Sequence, residues 1–336
     1  MKASKRASIL RDIRYLLAID EHRSFTRAAD ALYVSQPALS QKIRQLEEDL
    51  GAPLFDRSGR GITLTDYGET YLGFARRAFR DLEAAQRAMQ DVEDLSRGEL
   101  RLAFTPTFTE YLVAPLVEAF YASYPKVFVE LREMSLDDVE AALTEDSVDL
   151  GLGFLDVRSD DVEAEPLYPE RLMLVVGATH PLAKSRSPVT PKQLAQTPLA
   201  LLATGFVSRY YVDSYFNACG ITPTVSLHAN SISAILKTVR RGRIATILPS
   251  TIEFEHRDFR YVALDPPFPL RTVALLRRKR AYRSVASAAF ESMLRSMLNG
   301  GSLSSLRTLT TLSPDGNDGL DTLPKVDAMP EKRHGR

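Results

Sequence analysis

Leu32–Gly51 reads LYVSQPALSQKIRQLEEDLG. Leu39, Ile43, Leu46 and Leu50 recur at helical spacing and share one face. The opposite face carries Pro37, Ser40, Gln41 and Arg44 and contains no catalytic group. Ser35 is placed to cap the helix, Pro37 fits its first turn, and Val34 and Leu39 have the spacing of a hydrophobic staple. Upstream, Ser24 and Thr26 offer cap oxygens before RAADAL. The pair reads as a helix–turn–helix whose second helix has a polar outer face. That face is either ordinary solvated surface or a surface that reads another molecule.

Working outward, Ile13, Leu16 and Leu17 begin an apolar face of a preceding helix. FDRSGRGITLTDYG, with Arg57 and Arg60 among glycines, predicts a small hairpin or wing. From Asp66 to Asp94, Tyr71, Ala75, Ala78, Leu82, Ala85, Met89 and Val92 alternate by four and three. That is a heptad seam, which either pairs with a second chain or packs on its own domain. After Ser96–Gly98 the pattern changes to strands alternating with helices. ELRLAF, VFVELREM, VDLGLGF, RLMLVVG, LALLA, TVSLHA, IATILP and TVALLRR are strands, and a helix is expected over TEYLVAPLVEAFYASYP. The expectation is a mostly parallel α/β arrangement in two lobes with a cleft between them.

The 336 residues suggest about two domains at roughly 150 residues each. With 43 basic and 43 acidic residues the chain is not uniformly basic, which leaves room for a local basic patch. No run of about 18 apolar residues occurs, so no membrane partner is expected, and the N-terminus does not read as a secretory signal. A cytoplasmic protein is expected. A single cysteine, Cys219, excludes an internal disulfide. The five histidines show no metal spacing, and neither a cofactor loop nor a nucleophile–base set is present, so no cofactor and no enzyme activity are expected. The alternative is an α/β enzyme or solute-binding module fused to the helix–turn–helix head. Residues 299–336 are poor in apolar side chains and read as a disordered tail.

The major groove of DNA accepts a helix, and its base edges are read by amides, hydroxyls and arginines. Gln36, Pro37, Ser40 and Gln41 are the candidates for base contact, with Lys42 and Arg44 for phosphates and Arg57 and Arg60 on the wing. Singly, each is equally an exposed surface residue; as a spaced set they point to double-stranded DNA.

Ser24–Gly68 resembles the DNA-binding module of LysR-type transcriptional regulators: the Ala28–Ala29 pair, Ser35-Gln36-Pro37, Leu54-Phe55-x-Arg57 and the Leu64–Thr65 wing end all match. Tyr67 departs, since that family usually has Ala before the glycine. TPTFTEYLVAPL, EMS, ANSISAILKTVRR and RTVALLRRK are similar to the cyanate-responsive members. The resemblance implies a winged helix–turn–helix (1–66), a linker and dimerisation helix (67–97), and a two-lobed α/β effector domain like periplasmic binding proteins. Lobe I would hold 98–165 and 266–298, and lobe II 166–265. It further implies a homodimer or homotetramer on a pseudo-palindromic operator, RNA polymerase as a partner, activation or repression of transcription, and a small anionic effector, with cyanate the candidate.

The residues suit such an effector on their own account. Thr105, Pro106 and Thr107 follow a strand and are expected to open a helix; Asn230, Ser231 and Ile232 repeat the arrangement; Thr204 and Gly205 supply a third polar edge. Thr246 is a further candidate, equally a core residue. Strong helix caps alone would explain each segment equally well.

Overall fold

The computed structural model describes residues 2–56, 62–90, 98–300 and 302–303, and the chain divides into two compact units, Met1–Val92 and Glu93–Arg336.

The first unit is built from α1 (Lys2–His22), α2 (Phe25–Ala31), α3 (Gln36–Leu50), the strands β1 (Phe55–Asp56) and β2 (Thr63–Leu64), and α4 (Asp66–Gln90). The Ser24 hydroxyl caps α2 by accepting from Arg27 N–H, and the Ser35 hydroxyl caps α3 by accepting from Ala38 N–H. Thr26 lies inside α2, so only Ser24 serves as the cap. Leu39 and Ile43 are fully buried with Leu16, Ile19 and Ala28, while Leu50 is already exposed where α3 ends. The left-handed turn at Gly51, φ 73°, ends α3, as a residue without Cβ allows at low cost. Glu47 Oε1 then accepts from the N–H groups of Leu54 and Phe55, which ties α3 to the wing. In that wing β1 and β2 are antiparallel, Phe55 facing Leu64. Gly68 passes so close to the wing that a Cβ there would lie 2.0 Å from the Leu54 carbonyl oxygen.

The second unit contains β3 (Gly98–Phe104), α5 (Val113–Ser123), β4 (Val127–Glu133), α6 (Leu136–Thr144), β5 (Leu150–Phe154) and the 16-residue β6 (Val162–Gly177). There follow α7 (Pro191–Gln196), β7 (Leu199–Leu202), α8 (Val207–Ala218), β8 (Val225–Ala229), α9 (Ile232–Val239), β9 (Thr246–Pro249), β10 (Phe259–Val262), β11 (Leu270–Arg278) and α10 (Val285–Asn299).

The sheet is mixed, which corrects the expectation of mostly parallel pairing. β3 pairs in parallel with β4 and β5, as β7 does with β8. β11 is antiparallel to β5 and β6, and β6 is antiparallel to β9 and β10. Apolar runs reveal strands but not their direction; direction follows from how the chain crosses between lobes and returns. β6 carries that crossing: its first ten residues pair with β11, its last six with β9 and β10. The strand runs without interruption past residue 165, where the sequence placed a lobe boundary. Buried side chains from both lobes, among them Phe108, Phe154, Leu202, Val207, Ile235 and Leu248, form one continuous core.

Two further expectations change. The segment opened by Thr105 is a five-residue 3-10 turn, Pro106–Glu110, and α5 begins only at Val113. Of the stretch read as a tail, Asn299 closes α10 and Leu303 is buried, its N–H donating to Met297 C=O; residues 304–336 lie outside the described residues.

Candidate functional site

The polar face of α3 begins at its capped N-terminus, where the first N–H groups have no intrahelical acceptor and favour an anion such as phosphate. Gln36, Pro37 and Gln41 are exposed there, with Ser40 and Lys42 half-buried and Arg44 exposed one turn on. Gln36 Nε2 donates to Ser40 Oγ at 2.9 Å, so two of the base-reading candidates satisfy each other in the free protein. The turn before α3 holds Tyr33 in the left-handed region, φ 56°, with 97% of its surface exposed. Arg57 and Arg60 lie outside the described residues.

The second site is the interlobe cleft. Thr105, Pro106, Thr107 and Phe154 from one lobe, with Leu202, Phe206, Val207 and Ser208 from the other, line a cavity of about 10 Å³. Thr105 and Thr107 are buried, and among the described residues neither hydroxyl has a hydrogen-bond partner. Such an orphan costs about 1–3 kcal/mol of desolvation unless something fills the gap. Val207 and Ser208, which open α8 without side-chain capping from Phe206, line the same cavity and bring the helix's N-terminus to it. Thr204 and Gly205 line an adjoining cavity of about 220 Å³ with Arg158, Arg209, Asp137 and Asp213; it shares Phe206 and Val207 with the smaller one.

The remaining sequence candidates are not brought to this place. Asn230 and Ser231 are exposed, and the Ser231 hydroxyl is occupied in capping α9 by accepting from Ala234 N–H. Ile232 is core. Thr246 is buried on β9 with an unpartnered hydroxyl, but it lines neither cavity. The helix N-terminus that reaches the cavity is that of α8 rather than that of α9.

Sequence reasoning also missed a buried charged cluster behind the cavity. Glu170 on β6 and Arg271 on β11 are cross-strand partners, both essentially inaccessible to solvent. Arg271 Nε donates to Glu170 Oε2 at 2.8 Å and Nη1 donates to Ser208 Oγ at 3.0 Å, while the guanidinium stacks 4.2 Å above the Phe154 ring. Nη2 lies 2.6 Å from the same carboxylate oxygen without hydrogen-bonding geometry. Glu170 Oε1 also accepts from Tyr111 Oη at 2.7 Å and from Thr251 Oγ1 at 2.9 Å. Burial first, then the Glu170 charge, pushes the Tyr111 and Tyr168 hydroxyls well above their ordinary range, so both stay protonated. With its proton on Glu170, the Tyr111 hydroxyl is left to accept from Tyr168 at 3.0 Å. A charge this deep persists only when paired and hydrogen-bonded. The sequence signal was an Arg and a Glu each opening an apolar strand run, and only the register joins them.

The family model of the LysR substrate binding domain matches residues 93–299, and that of the bacterial regulatory helix-turn-helix protein, lysR family, matches residues 10–69. The chain belongs to the LysR family. This LysR-family chain is 30% identical over 288 residues to the RuBisCO operon transcriptional regulator of Allochromatium vinosum, covering 85% of the chain and 95% of that protein. It is 29% identical over 272 residues to the DNA-binding transcriptional dual regulator OxyR of Escherichia coli, covering 80% and 89%. In fold it is similar to full-length OxyR from Pseudomonas aeruginosa, with a TM-score of 0.63, 24% identity and coverage of 88% of this chain and 95% of that one. It also resembles full-length CbnR complexed with its target DNA, at TM-score 0.56, 24% identity and 85% and 99% coverage. It is a DNA-binding transcriptional regulator and not an enzyme, which sets aside the fused-enzyme alternative. No helix among the described residues is long and apolar enough to cross a membrane.

Proposed function

We propose that this regulator reads a pseudo-palindromic operator through α3 and responds to a small monoanion, with cyanate the candidate, held in the interlobe cleft. The observation that carries the effector reading is the pair of buried, unpartnered hydroxyls on Thr105 and Thr107, two residues that line one cavity beside the N-terminus of α8. The Thr105, Thr107 and Ser208 hydroxyls and the first N–H groups of α8 can all donate, which suits an acceptor. A cavity of about 10 Å³ holds roughly one water, so the occupant is small and the lobes part slightly to admit it. The effector acts by binding one lobe arrangement more tightly than another, since equal affinity would shift nothing. A disulfide switch within the chain is closed to it: Cys219 is the single cysteine, and burial raises its thiol pKa.

Two chains pair through α4. Tyr71 and Ala75 pack on the unit's own core, whereas Phe74, Ala78, Leu82 and Ala85 form an exposed apolar stripe along the helix. That pairing presents two reading helices, as a homodimer or as a homotetramer of such dimers, and the ligand-dependent assembly then recruits RNA polymerase.

The test is thermal unfolding of the full-length protein with cyanate, azide and benzoate. Stabilisation by the two linear anions and none by the aromatic acid is expected. Stabilisation by benzoate alone would overturn the small-anion reading.

A further inference from the structure

We infer that Ser208 donates to the bound effector and that Arg271, behind it, is a positioning residue that makes the cleft select anions over neutral molecules of the same shape. The inference deepens the effector reading above and rests on it.

Ser208 lies on the first turn of α8 and lines the small cavity. Its oxygen accepts from Arg271 Nη1, and among the described residues nothing takes its proton. A hydroxyl has a single proton, which must point away from the donor already facing its lone pair. The guanidinium therefore turns the Ser208 O–H away from itself, toward a cavity already lined by two orphan hydroxyls.

Arg271 does more than orient. Its partner Glu170 is held on the other side by Tyr111 and Thr251, so the ion pair is a buried dipole whose positive end meets Ser208. Both charged side chains are themselves inaccessible to solvent, so that dipole is only weakly screened. The gap is thus bounded by a polarised hydroxyl, two unpartnered hydroxyls and the free N–H groups of α8. The ligand class that satisfies all of them is a compact monoanion that only accepts hydrogen bonds.

Azide and nitrous oxide are linear, isoelectronic and nearly equal in size, and they differ in charge. Both can be followed on the full-length protein by their infrared stretch. Ser208→Ala removes one oxygen and leaves the Glu170–Arg271 pair in place; azide should bind about tenfold or more weakly, the loss typical of a hydrogen bond to a charged group, while nitrous oxide is unaffected. The double variant Glu170→Gln with Arg271→Gln removes both charges together and should lower the azide-to-nitrous-oxide ratio by a similar factor. A purely structural role would weaken both ligands alike and leave that ratio unchanged, which would overturn the inference. If the double variant does not fold, Ser208→Ala alone decides. Azide binding unchanged by Ser208→Ala but lost in Thr107→Val would sink the role of Ser208 and Arg271 and leave the effector site standing. No binding of azide or cyanate to the wild-type protein would sink both.

Discussion

Replacing Thr107 by valine should make the ligand-free protein more stable and the ligand-bound protein less so. The Thr107 side chain is 2% exposed, and its hydroxyl has no partner among the described residues. Valine keeps the shape and substitutes a methyl for the orphan oxygen. Relief of an unsatisfied buried hydroxyl is worth about 1–3 kcal/mol, and crowding of the new methyl offsets part of it. A net gain of about 1 kcal/mol is expected, which raises the Tm of a domain of this size by roughly 2–4 °C. Ligand reverses the order. At a concentration of about 100 Kd an effector stabilises the wild type by about 2.7 kcal/mol, and the valine variant loses most of that because a donor is gone. The assay is thermal unfolding of the two full-length proteins with and without cyanate or azide, in which the two melting curves exchange places. A ligand-free valine variant less stable than wild type by about 1 kcal/mol or more would refute the reasoning, because it would mean that the hydroxyl is satisfied in solution.

Three further outcomes are expected. Gln36→Ala or Ser40→Ala breaks the 2.9 Å bond between them and should lower discrimination between operator and random duplex by about 1–3 kcal/mol in a binding assay; an equal loss on both duplexes would remove α3 from base reading. Phe74→Glu together with Leu82→Glu puts charge on the exposed stripe of α4 and should shift the protein to smaller assemblies in sedimentation, while an unchanged mass would place the pairing elsewhere. The Arg295 guanidinium, then that of Arg277, holds the Glu165 carboxyl down to about 2 against the opposing effect of burial. A depressed pKa contributes stability that is present above the unfolded value of about 4.5 and is lost as pH falls toward 2. Urea unfolding of Glu165→Gln should therefore show a flatter decline across that window than wild type; parallel declines would remove Glu165 from the acid limb.

The sequence by itself determined the local structure. Capping serines before regular apolar spacing fixed α2 and α3, the glycine–arginine stretch marked the wing, and apolar runs located most of the strands, because caps and periodicity are properties of neighbouring residues. The short β10 and the first nine residues of β6, VEAEPLYPE, lack such a run and are not legible as strands in the sequence. It also brought Thr105 and Thr107 forward as hydroxyls at a strand end, although the turn they open is 3-10 rather than α-helical. Only the tertiary structure decided strand direction, which of the helix N-termini reaches the cleft, and the pairing of Glu170 with Arg271. Those residues stand 101 positions apart, and their meeting depends on the register of β6 against β11. Register is set by the packing of whole sheets, so a charge pair across two strands leaves no pattern in either strand alone. The same holds for Ser208: in the sequence it is one more polar residue near a helix start, and its role comes from the guanidinium that the opposite strand places behind it.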